Sequence, residues 1–220
     1  MSATISKLTP TSLAALLCAR ICHDLISPVG ALGTAIEILN DENNSEMHGD
    51  AMDLIRNSSR QAGAKLRFLR LALGAGGSAP GVIAAEEIKS LVDDMYGEGK
   101  ASIEWRAGAT AIEKNAARIL LNLVMLAVQA VPRGGNIVIA ATDHGNATQL
   151  RLAATGPKSR LEPAIEATLS GKAPEDGFDG RTIQPFYTGM IVRELKGTAA
   201  ASIDGESVTF TAVIPLLENS

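Results

Sequence analysis

The feature that most constrains this chain is a periodic apolar pattern near its N-terminus. Through residues 11–41, small or apolar residues recur at alternating intervals of four and three: Ala14, Cys18, Ile21, Leu25, Pro28, Leu32, Ala35 and Leu39. A seven-residue repeat of this kind forms the seam of an α-helix that packs against other helices. The pattern predicts one helix on the order of 45 Å long, at ~1.5 Å per residue.

A second helix is predicted after a short polar turn, DENNS, in which Ser45 is expected to cap it. Its seam residues are again spaced by threes and fours: Met52, Ile55, Ser59, Ala62, Leu66, Leu69 and Leu73. A turn this short makes the two helices antiparallel neighbours. Because two helices alone cannot bury both seams, we expect a second copy of the chain to complete a dimeric four-helix bundle.

The apolar period changes beyond residues 74–81, GAGGSAPG, whose composition is that of a linker. Five later segments have the composition of strands: ASIEWRA, NIVIAAT, ATQLRLAAT, AAASI and SVTFTAVIP. Three further segments are predicted helices: residues 86–96, 111–131 and 183–196. The sequence therefore predicts a helical hairpin over residues 1–75 and an α/β domain over residues 81–220, with helices over a mixed or antiparallel sheet.

Composition and charge argue against several classes of protein. A formal net charge of −4 lacks the basic surplus of a nucleic-acid binder. No apolar run approaches the ~18–20 residues that cross a bilayer, and the N-terminus, MSATISKLTP, lacks a signal-peptide core. The two cysteines, Cys18 and Cys22, are too few for a disulfide framework, and with His23 they would not converge on a tetrahedral metal centre. We expect a cytoplasmic protein that binds no metal, nucleic acid or membrane.

His23 is the residue of the first helix that suggests chemistry. At about 100° per residue it lies opposite Leu25 and Leu32, so it is predicted to face solvent. Asp24 is placed to accept a hydrogen bond from Nδ1–H of His23, which leaves Nε2 as a nucleophile. Pro28 removes the amide that would bond the Asp24 carbonyl, and this is expected to loosen the turn. These residues alone leave two interpretations open: a reactive histidine on a scaffold, or a surface histidine beside a kink.

A candidate partner-binding surface surrounds this histidine. The residues that share its helix face are mostly small: Leu16, Ala19, Arg20, Ser27, Gly30, Ala31 and Thr34. Leu16 is predicted to be an exposed apolar contact there. On the second helix, Arg56 and Arg60 begin a basic stripe that either receives an acidic partner or is a solvated face.

The stretch HDLISPVGAL resembles the H-box of bacterial histidine kinases, in which the histidine accepts phosphoryl and the hairpin dimerises. The match covers His23, Asp24, Leu25, Pro28 and Val29. Further on, ILLNLVMLAVQAVPRGGNIVIA resembles the N-box helix of the kinase ATP-binding domain, followed by a Gly-Gly turn and a strand. The C-terminal GMIVRELKGTAAASIDGESVTFTAVIPL resembles the closing helix and two strands of that domain.

The departures from the kinase pattern concern the ATP site. Asn122 keeps the first N-box asparagine, but Leu126 replaces the second, and leucine cannot ligate Mg²⁺. The adenine-reading segment D-x-G-x-G is replaced by ATGPK, with Ala154 at the acid, Gly156 kept and Lys158 at the second glycine. LEPAIEATLSGKAPEDGFDG replaces the glycine-rich lid. These losses predict a degenerate ATP-binding-like domain that holds no cofactor.

A kinase-shaped dimer that keeps its histidine and loses its ATP site resembles the histidine phosphotransferases of bacterial phosphorelays. That resemblance implies that His23 takes phosphoryl from the receiver aspartate of a hybrid histidine kinase. It implies transfer onward to receivers of response regulators, CtrA-like and CpdR-like in one branch of the family, with Mg²⁺ supplied by the receiver. Asp24 would orient the imidazole, and Ser27 would position water or line the docking surface.

Two other functions remain open from the sequence. One is an active histidine kinase with a divergent nucleotide pocket, which would label His23 from ATP alone. The other is a non-catalytic module that docks receivers or inhibits a kinase, which would not need His23.

Overall fold

The computed structural model describes residues 8–74, 81–106, 108–174 and 177–216, without the side chains of Glu42, Asn43 and His144. Residues 75–80 of the predicted linker therefore lie outside the described residues. The division into domains at this linker stays a prediction.

Two antiparallel helices form the N-terminal hairpin. Helix α1 spans Pro10–Asn40 and is capped by Thr9, whose Oγ1 accepts a hydrogen bond from the backbone N–H of Ser12 at 3.1 Å. Helix α2 spans His48–Ala72. A 3₁₀ turn, Glu42–Met47, joins them, so the prediction that Ser45 caps α2 is wrong. The hydrogen bond from the Asn44 side chain to Asp41 closes this turn, and α2 begins only after it.

Within the chain, α1 packs against α2 largely as its pattern predicts. Pro28 and Ala35 are buried, and the seam leucines Leu25, Leu32 and Leu39 are half-buried. At the N-terminal end the helix uses a different face, because Ala14 and Cys18 are exposed while Leu13, Leu17 and Ile21 pack against the core.

Within this chain, helix α2 buries only part of its predicted seam: Leu69 is buried, and Ile55, Ala62 and Leu73 are half-buried. Its buried residues are small at the start and larger near the end: Ala51, Ser58, Ala64, Phe68, Leu69 and Ala72. The predicted seam residues Met52, Ser59 and Leu66 are exposed. The small buried residues are Ala51, Ser58 and Ala64, whereas Phe68, Leu69 and Ala72 belong to the hydrophobic core cluster.

The α/β part contains seven strands and four helices among the described residues. In chain order they are β1 Val82–Ala84, α3 Ala85–Tyr96, β2 Ala101–Trp105, β3 Ala111–Glu113, α4 Lys114–Ala130, β4 Gly135–His144, β5 Ala147–Thr155, α5 Pro163–Leu169, α6 Ile183–Glu194, β6 Thr198–Asp204 and β7 Ser207–Pro215. All five predicted strands and three predicted helices are present. Strands β1 and β3 and helix α5 were not predicted; the two strands have only three residues each, too few to show an alternating pattern.

The main sheet is mixed, as expected, with strand order β2-β4-β5-β7-β6. Strands β2 and β4 are parallel and the other neighbours are antiparallel. Alternate residues of the central strands, such as Ile137, Leu152 and Phe210, are buried, as expected of a sheet with one face covered by helices. Helix α4 is the most buried helix of the described chain, with twelve buried residues.

The end of α2 belongs to the same hydrophobic core as the α/β part. Phe68, Leu69 and Ala72 join the core cluster, and the Phe68 ring meets that of Tyr96 edge to face, with centroids 5.6 Å apart. The hairpin is thereby packed on the α/β part, and this contact places α1 beside α6.

Helix α1 also has an 18-residue window with mean hydropathy 1.4. Among the described residues it is the one helix long and apolar enough, by length and composition, to cross a membrane. This finding does not overturn the sequence prediction, which concerned an uninterrupted apolar run, because Arg20, His23 and Asp24 interrupt α1. The alanines and cysteines between the leucines raise the mean without forming an uninterrupted apolar run.

Candidate functional site

His23 lies on the exposed face of α1, with 82% of its side chain accessible to solvent. Its Nδ1 lies 3.1 Å from Oδ1 of Asp24. Because an ionised carboxylate only accepts hydrogen bonds, Nδ1 must be the donor, which leaves Nε2 without a proton in the neutral ring. The exposure and the hydrogen bond agree with the sequence prediction, and the arrangement presents a free imidazole nitrogen to a partner.

Arg20 holds the other oxygen of Asp24. Its Nε donates to Oδ2 of Asp24 at 3.0 Å, and its Nη1 donates to the carbonyl oxygen of Gly180 at 2.7 Å. The side chains of Arg20 and Asp24 are only 15% and 14% exposed. The prediction that Arg20 is part of an open docking face therefore needs correction: its guanidinium is engaged between α1 and the segment before α6.

A side chain of the second helix satisfies the backbone carbonyl of Asp24, next to His23. Pro28 leaves the Asp24 carbonyl without its intrahelical donor, as predicted, but α1 continues unbroken through this point. Nζ of Lys65 on α2 donates to that carbonyl at 2.8 Å. The expected loosening of the turn is thus offset by a charged hydrogen bond from a neighbouring helix.

The remaining predicted docking residues fall into two groups. Ala19, Ser27, Gly30 and Thr34 are exposed around His23. Leu16 and Ala31 are half-buried, so the prediction of Leu16 as a fully exposed contact is corrected. Leu16 is adjacent to Leu17, one of the residues that turn this end of the helix toward the core.

Arg56 and Arg60 are exposed on α2 and already carry partners. Arg56 pairs with Asp53 at 2.7 Å, and Arg60 pairs with Glu98 at 2.8 Å. Pairs between side chains this exposed contribute little free energy, so both guanidinium groups remain available to a competing carboxylate.

A cleft of about 360 Å³ separates His23 from the α/β part. Its lining includes Arg20, His23, Leu126, Gln129, Arg160, Leu161, Glu162, Ile165, Arg181 and Phe210. Arg160 pairs with the carboxylate of Glu162 at 3.5 Å and Arg20 pairs with Asp24, so the positive balance of the cleft comes mainly from Arg181. Neither Arg160 nor Arg181 was predicted as a site residue, because neither lies near His23 in sequence.

Asn122, the retained N-box asparagine, is completely buried. Its Nδ2 donates to the carbonyls of Ala72 and Arg118, each at 2.7 Å, and its Oδ1 accepts from the side chain of Gln184. All of its hydrogen-bonding groups are therefore used to join α2, α4 and α6.

The other positions of the former nucleotide motifs also have structural roles. Leu126 and Ala154 are buried in the core. Gly156 lies so close to the Gly134–Gly135 turn that an added Cβ would be 2.3 Å from the Gly134 carbonyl oxygen. Lys158 has φ +62°, a conformation that glycine adopts more readily, so the backbone here keeps the shape suited to the glycine that lysine replaces.

Two ionisable groups near the site have shifted pKa values. Burial raises the pKa of the Tyr96 phenol; the charge of Arg20 opposes this rise and that of Asp24 adds to it. Hydrogen bonds from the Thr182 hydroxyl, and from the backbone N–H groups of Thr182 and Arg181, hold the pKa of Asp179 below its usual range. Asp179 thereby organises the turn that carries the Gly180 carbonyl.

Sequence reasoning missed Lys65 as a partner of the Asp24 carbonyl, Gly180 as a partner of Arg20, and Tyr96 as a group within the electrostatic influence of Arg20 and Asp24. The sequence could have indicated a partner such as Lys65, because Pro28 leaves the Asp24 carbonyl in need of a hydrogen-bond donor. The register between α1 and α2, which selects Lys65, is decided by packing and could not be read from either helix alone.

Comparison with known proteins supports one family. The family model for the histidine phosphotransferase C-terminal domain matches residues 85–207. The protein phosphotransferase ChpT of Brucella abortus (strain 2308) is 33% identical over 205 residues, which cover 93% of this chain and 97% of that protein.

Comparison with solved structures is consistent with this family. A bacterial phosphotransferase determined at 1.7 Å is similar with a TM-score of 0.82 and 31% identity, covering 94% of this chain and 98% of the other. Full-length ShkA in complex with AMPPNP matches with a TM-score of 0.50 and 21% identity, covering 97% of this chain and 47% of that one, which shows the fold alone. By sequence and by structure, this chain belongs to the histidine phosphotransferase family and is a protein phosphotransferase of the ChpT type.

Proposed function

We propose that this protein relays phosphoryl groups through His23, from the receiver aspartate of a hybrid histidine kinase to receiver aspartates of response regulators. The acceptors belong to the CtrA-like and CpdR-like classes. The observation that carries the proposal is the exposed imidazole whose Nδ1–H is held by Asp24 while Nε2 is free.

In the transfer step, the Nε2 lone pair attacks the phosphorus of the receiver's aspartyl phosphate. A nitrogen–phosphorus bond forms, the phosphorus–oxygen bond breaks, and the receiver carboxylate leaves with its electron pair. The ring becomes positively charged, and Asp24 stabilises that charge through Nδ1–H. The reverse sequence delivers phosphoryl to the next receiver, and positioning accounts for most of the catalysis. Mg²⁺ enters with the receiver.

The surroundings of His23 suit a receiver domain. Ala19, Ser27, Gly30 and Thr34 leave room for a globular partner to reach the ring. The positive cleft beside them is complementary to a phosphoryl group and to the carboxylates that hold a metal ion. Ser27 lines this surface, one turn along α1 from His23.

ATP is not part of the proposed cycle. Leu126 offers no metal ligand, Ala154 offers no acceptor for adenine, and the side chain of Asn122 is already saturated by protein partners. The α/β domain therefore acts without nucleotide.

The proposed active form is a homodimer. Ile26, Val29 and Ile36 on α1 are 51–72% exposed, and Met52 and Leu66 on α2 are 41% and 52% exposed. They recur at helical spacing on faces that the hairpin leaves open. A four-helix bundle formed with a second copy would bury both stripes.

The test is labelling by a phosphorylated receiver. Wild-type protein is mixed first with labelled ATP alone and then with a labelled receiver, and both reactions are repeated with His23→Gln. We expect label only from the receiver and none on His23→Gln, which should keep the wild-type dimer mass and melting temperature because His23 is exposed.

Each alternative has its own outcome. Label from ATP alone on His23 would identify an active kinase. Stable receiver binding without label on the wild-type protein would identify a docking module. Label that persists on His23→Gln would overturn the assignment of the phosphoacceptor.

A further inference from the structure

We propose that the α/β domain orients His23 through Arg20, which makes Arg20 a positioning residue for phosphoryl transfer. The effect on transfer rests on the proposed function of His23. The inference goes beyond that function because it assigns the α/β domain a role at the reacting histidine that requires no nucleotide.

The structural basis is a continuous polar chain. The Gly180 carbonyl accepts from Nη1 of Arg20 at 2.7 Å, and Nε of Arg20 donates to Oδ2 of Asp24 at 3.0 Å. Oδ1 of Asp24 then accepts from Nδ1 of His23 at 3.1 Å. Each group uses a different atom for each neighbour, so all three hydrogen bonds exist at once.

Without Gly180, the pair of Arg20 and Asp24 would be a weak orienting device. An isolated pair four residues apart on a helix contributes little, and the order with the cation N-terminal to the anion is the less favourable one. A second anchor on the same guanidinium removes much of its rotational freedom. The carboxylate of Asp24 is then held in one geometry, and the imidazole follows it.

The Gly180 carbonyl is itself firmly placed. It belongs to the turn that Asp179 closes with three hydrogen bonds from Arg181 and Thr182. On either side, the rings of Phe178 and Phe186 pack with centroids 4.6 Å apart, and Phe186 is 3% exposed. The turn is therefore part of the packed α/β body, which makes it a suitable anchor for a residue of α1.

The test separates positioning from docking. Arg20→Lys keeps the charge but loses the planar fork that reaches two acceptors, and Arg20→Gln loses both. Asp179→Ala loosens the anchor and leaves Arg20 intact. Arg106→Gln, which removes an exposed guanidinium paired with Glu104, is the matched control for loss of charge.

Two readouts are taken from the full-length protein. ¹⁵N-histidine NMR at one pH gives the populations of the two neutral tautomers of His23, assigned with His23→Gln. Single-turnover transfer from a phosphorylated receiver gives the maximal rate and the receiver concentration at half-saturation.

We expect Arg20→Lys and Arg20→Gln to increase the Nε2–H tautomer and to lower the maximal rate roughly tenfold, with half-saturation nearly unchanged. Asp179→Ala should change both quantities in the same direction by less, and Arg106→Gln should change neither.

Unchanged tautomer populations in both Arg20 variants would overturn the inference. So would a change confined to half-saturation that Arg20→Lys restores, since that pattern belongs to docking. If the wild-type protein accepts no phosphoryl, the proposed function fails, and the tautomer populations still decide whether Arg20 positions His23.

Discussion

His23 on α1 and Asn122 on α4 both occupy helical motif positions of the same kinase pattern, but the structure treats them in opposite ways. His23 is 82% exposed and uses one ring nitrogen within the chain, which leaves the other open. Asn122 is fully buried and uses its amide and its oxygen within the chain. The comparison teaches that a retained motif residue indicates chemistry only when one of its polar atoms remains unsatisfied by the protein.

The strongest challenge to this comparison is Asn122→Ala. Removing the side chain leaves the Ala72 carbonyl and the Gln184 amide without their partner and opens a cavity, so we expect the free energy of unfolding to fall by about 2–4 kcal/mol. Chemical denaturation measures this loss. Phosphoryl transfer per folded molecule should remain near the wild-type value.

The matched control is Asn57→Ala, since Asn57 is an exposed asparagine on α2. Its effect should stay within about 0.5 kcal/mol. A stable Asn122→Ala protein that loses transfer would mean that Asn122 takes part in the function, and the contrast with His23 would fail.

A second prediction concerns the support beneath His23. Lys65→Met keeps most of the side-chain volume but leaves the Asp24 carbonyl without a donor at the Pro28 turn. We expect a loss of about 1–3 kcal/mol in unfolding free energy, with Lys65→Arg closer to wild type. Equal stability of the wild-type and Lys65→Met proteins would show that water satisfies this carbonyl.

The third prediction is a pH dependence at Asp179. Its pKa in the folded protein is lowered, so its stabilising effect is present above the pKa of the unfolded chain and is lost as pH falls through the folded pKa. Asp179→Asn keeps an acceptor oxygen but does not titrate. We expect the difference in unfolding free energy between wild type and Asp179→Asn to shrink below pH ~4, as measured by denaturation across acidic pH. A difference that is constant with pH would contradict the assignment.

The smallest expected effect is at Arg56. Its guanidinium is 69% exposed and paired only with Asp53 in the described contacts, so a receiver carboxylate competes with a weak pair. Arg56→Gln should raise the receiver concentration at half-saturation about twofold at low salt, and added salt should remove the difference. Arg133→Gln, in the exposed turn before β4, is the control. Equal effects of the two variants would mean that Arg56 acts through general electrostatic attraction and makes no specific contact with the receiver.

Much of the fold was accessible from the sequence because its periods are strong. Helix α1 was predicted over residues 11–41 and spans Pro10–Asn40, and the strand segments ATQLRLAAT and SVTFTAVIP coincide with β5 and β7. Alternation and the seven-residue repeat report burial directly, so they predict such elements well. The prediction that Ser45 caps α2 was wrong, because the conformation of a turn depends on its neighbours.

The features of the candidate site also divide into those that the sequence predicts and those that depend on packing. The sequence by itself determined that His23 faces solvent, that Asp24 can hold its Nδ1–H, and that Pro28 leaves a carbonyl unpaired. These follow from the fixed geometry of one helix. Only the tertiary structure decided that Lys65 satisfies that carbonyl, that Gly180 anchors Arg20, and that Asn122 joins three helices. Those hydrogen bonds join residues 41 to 160 positions apart, and such contacts depend on how the helices and the sheet pack together.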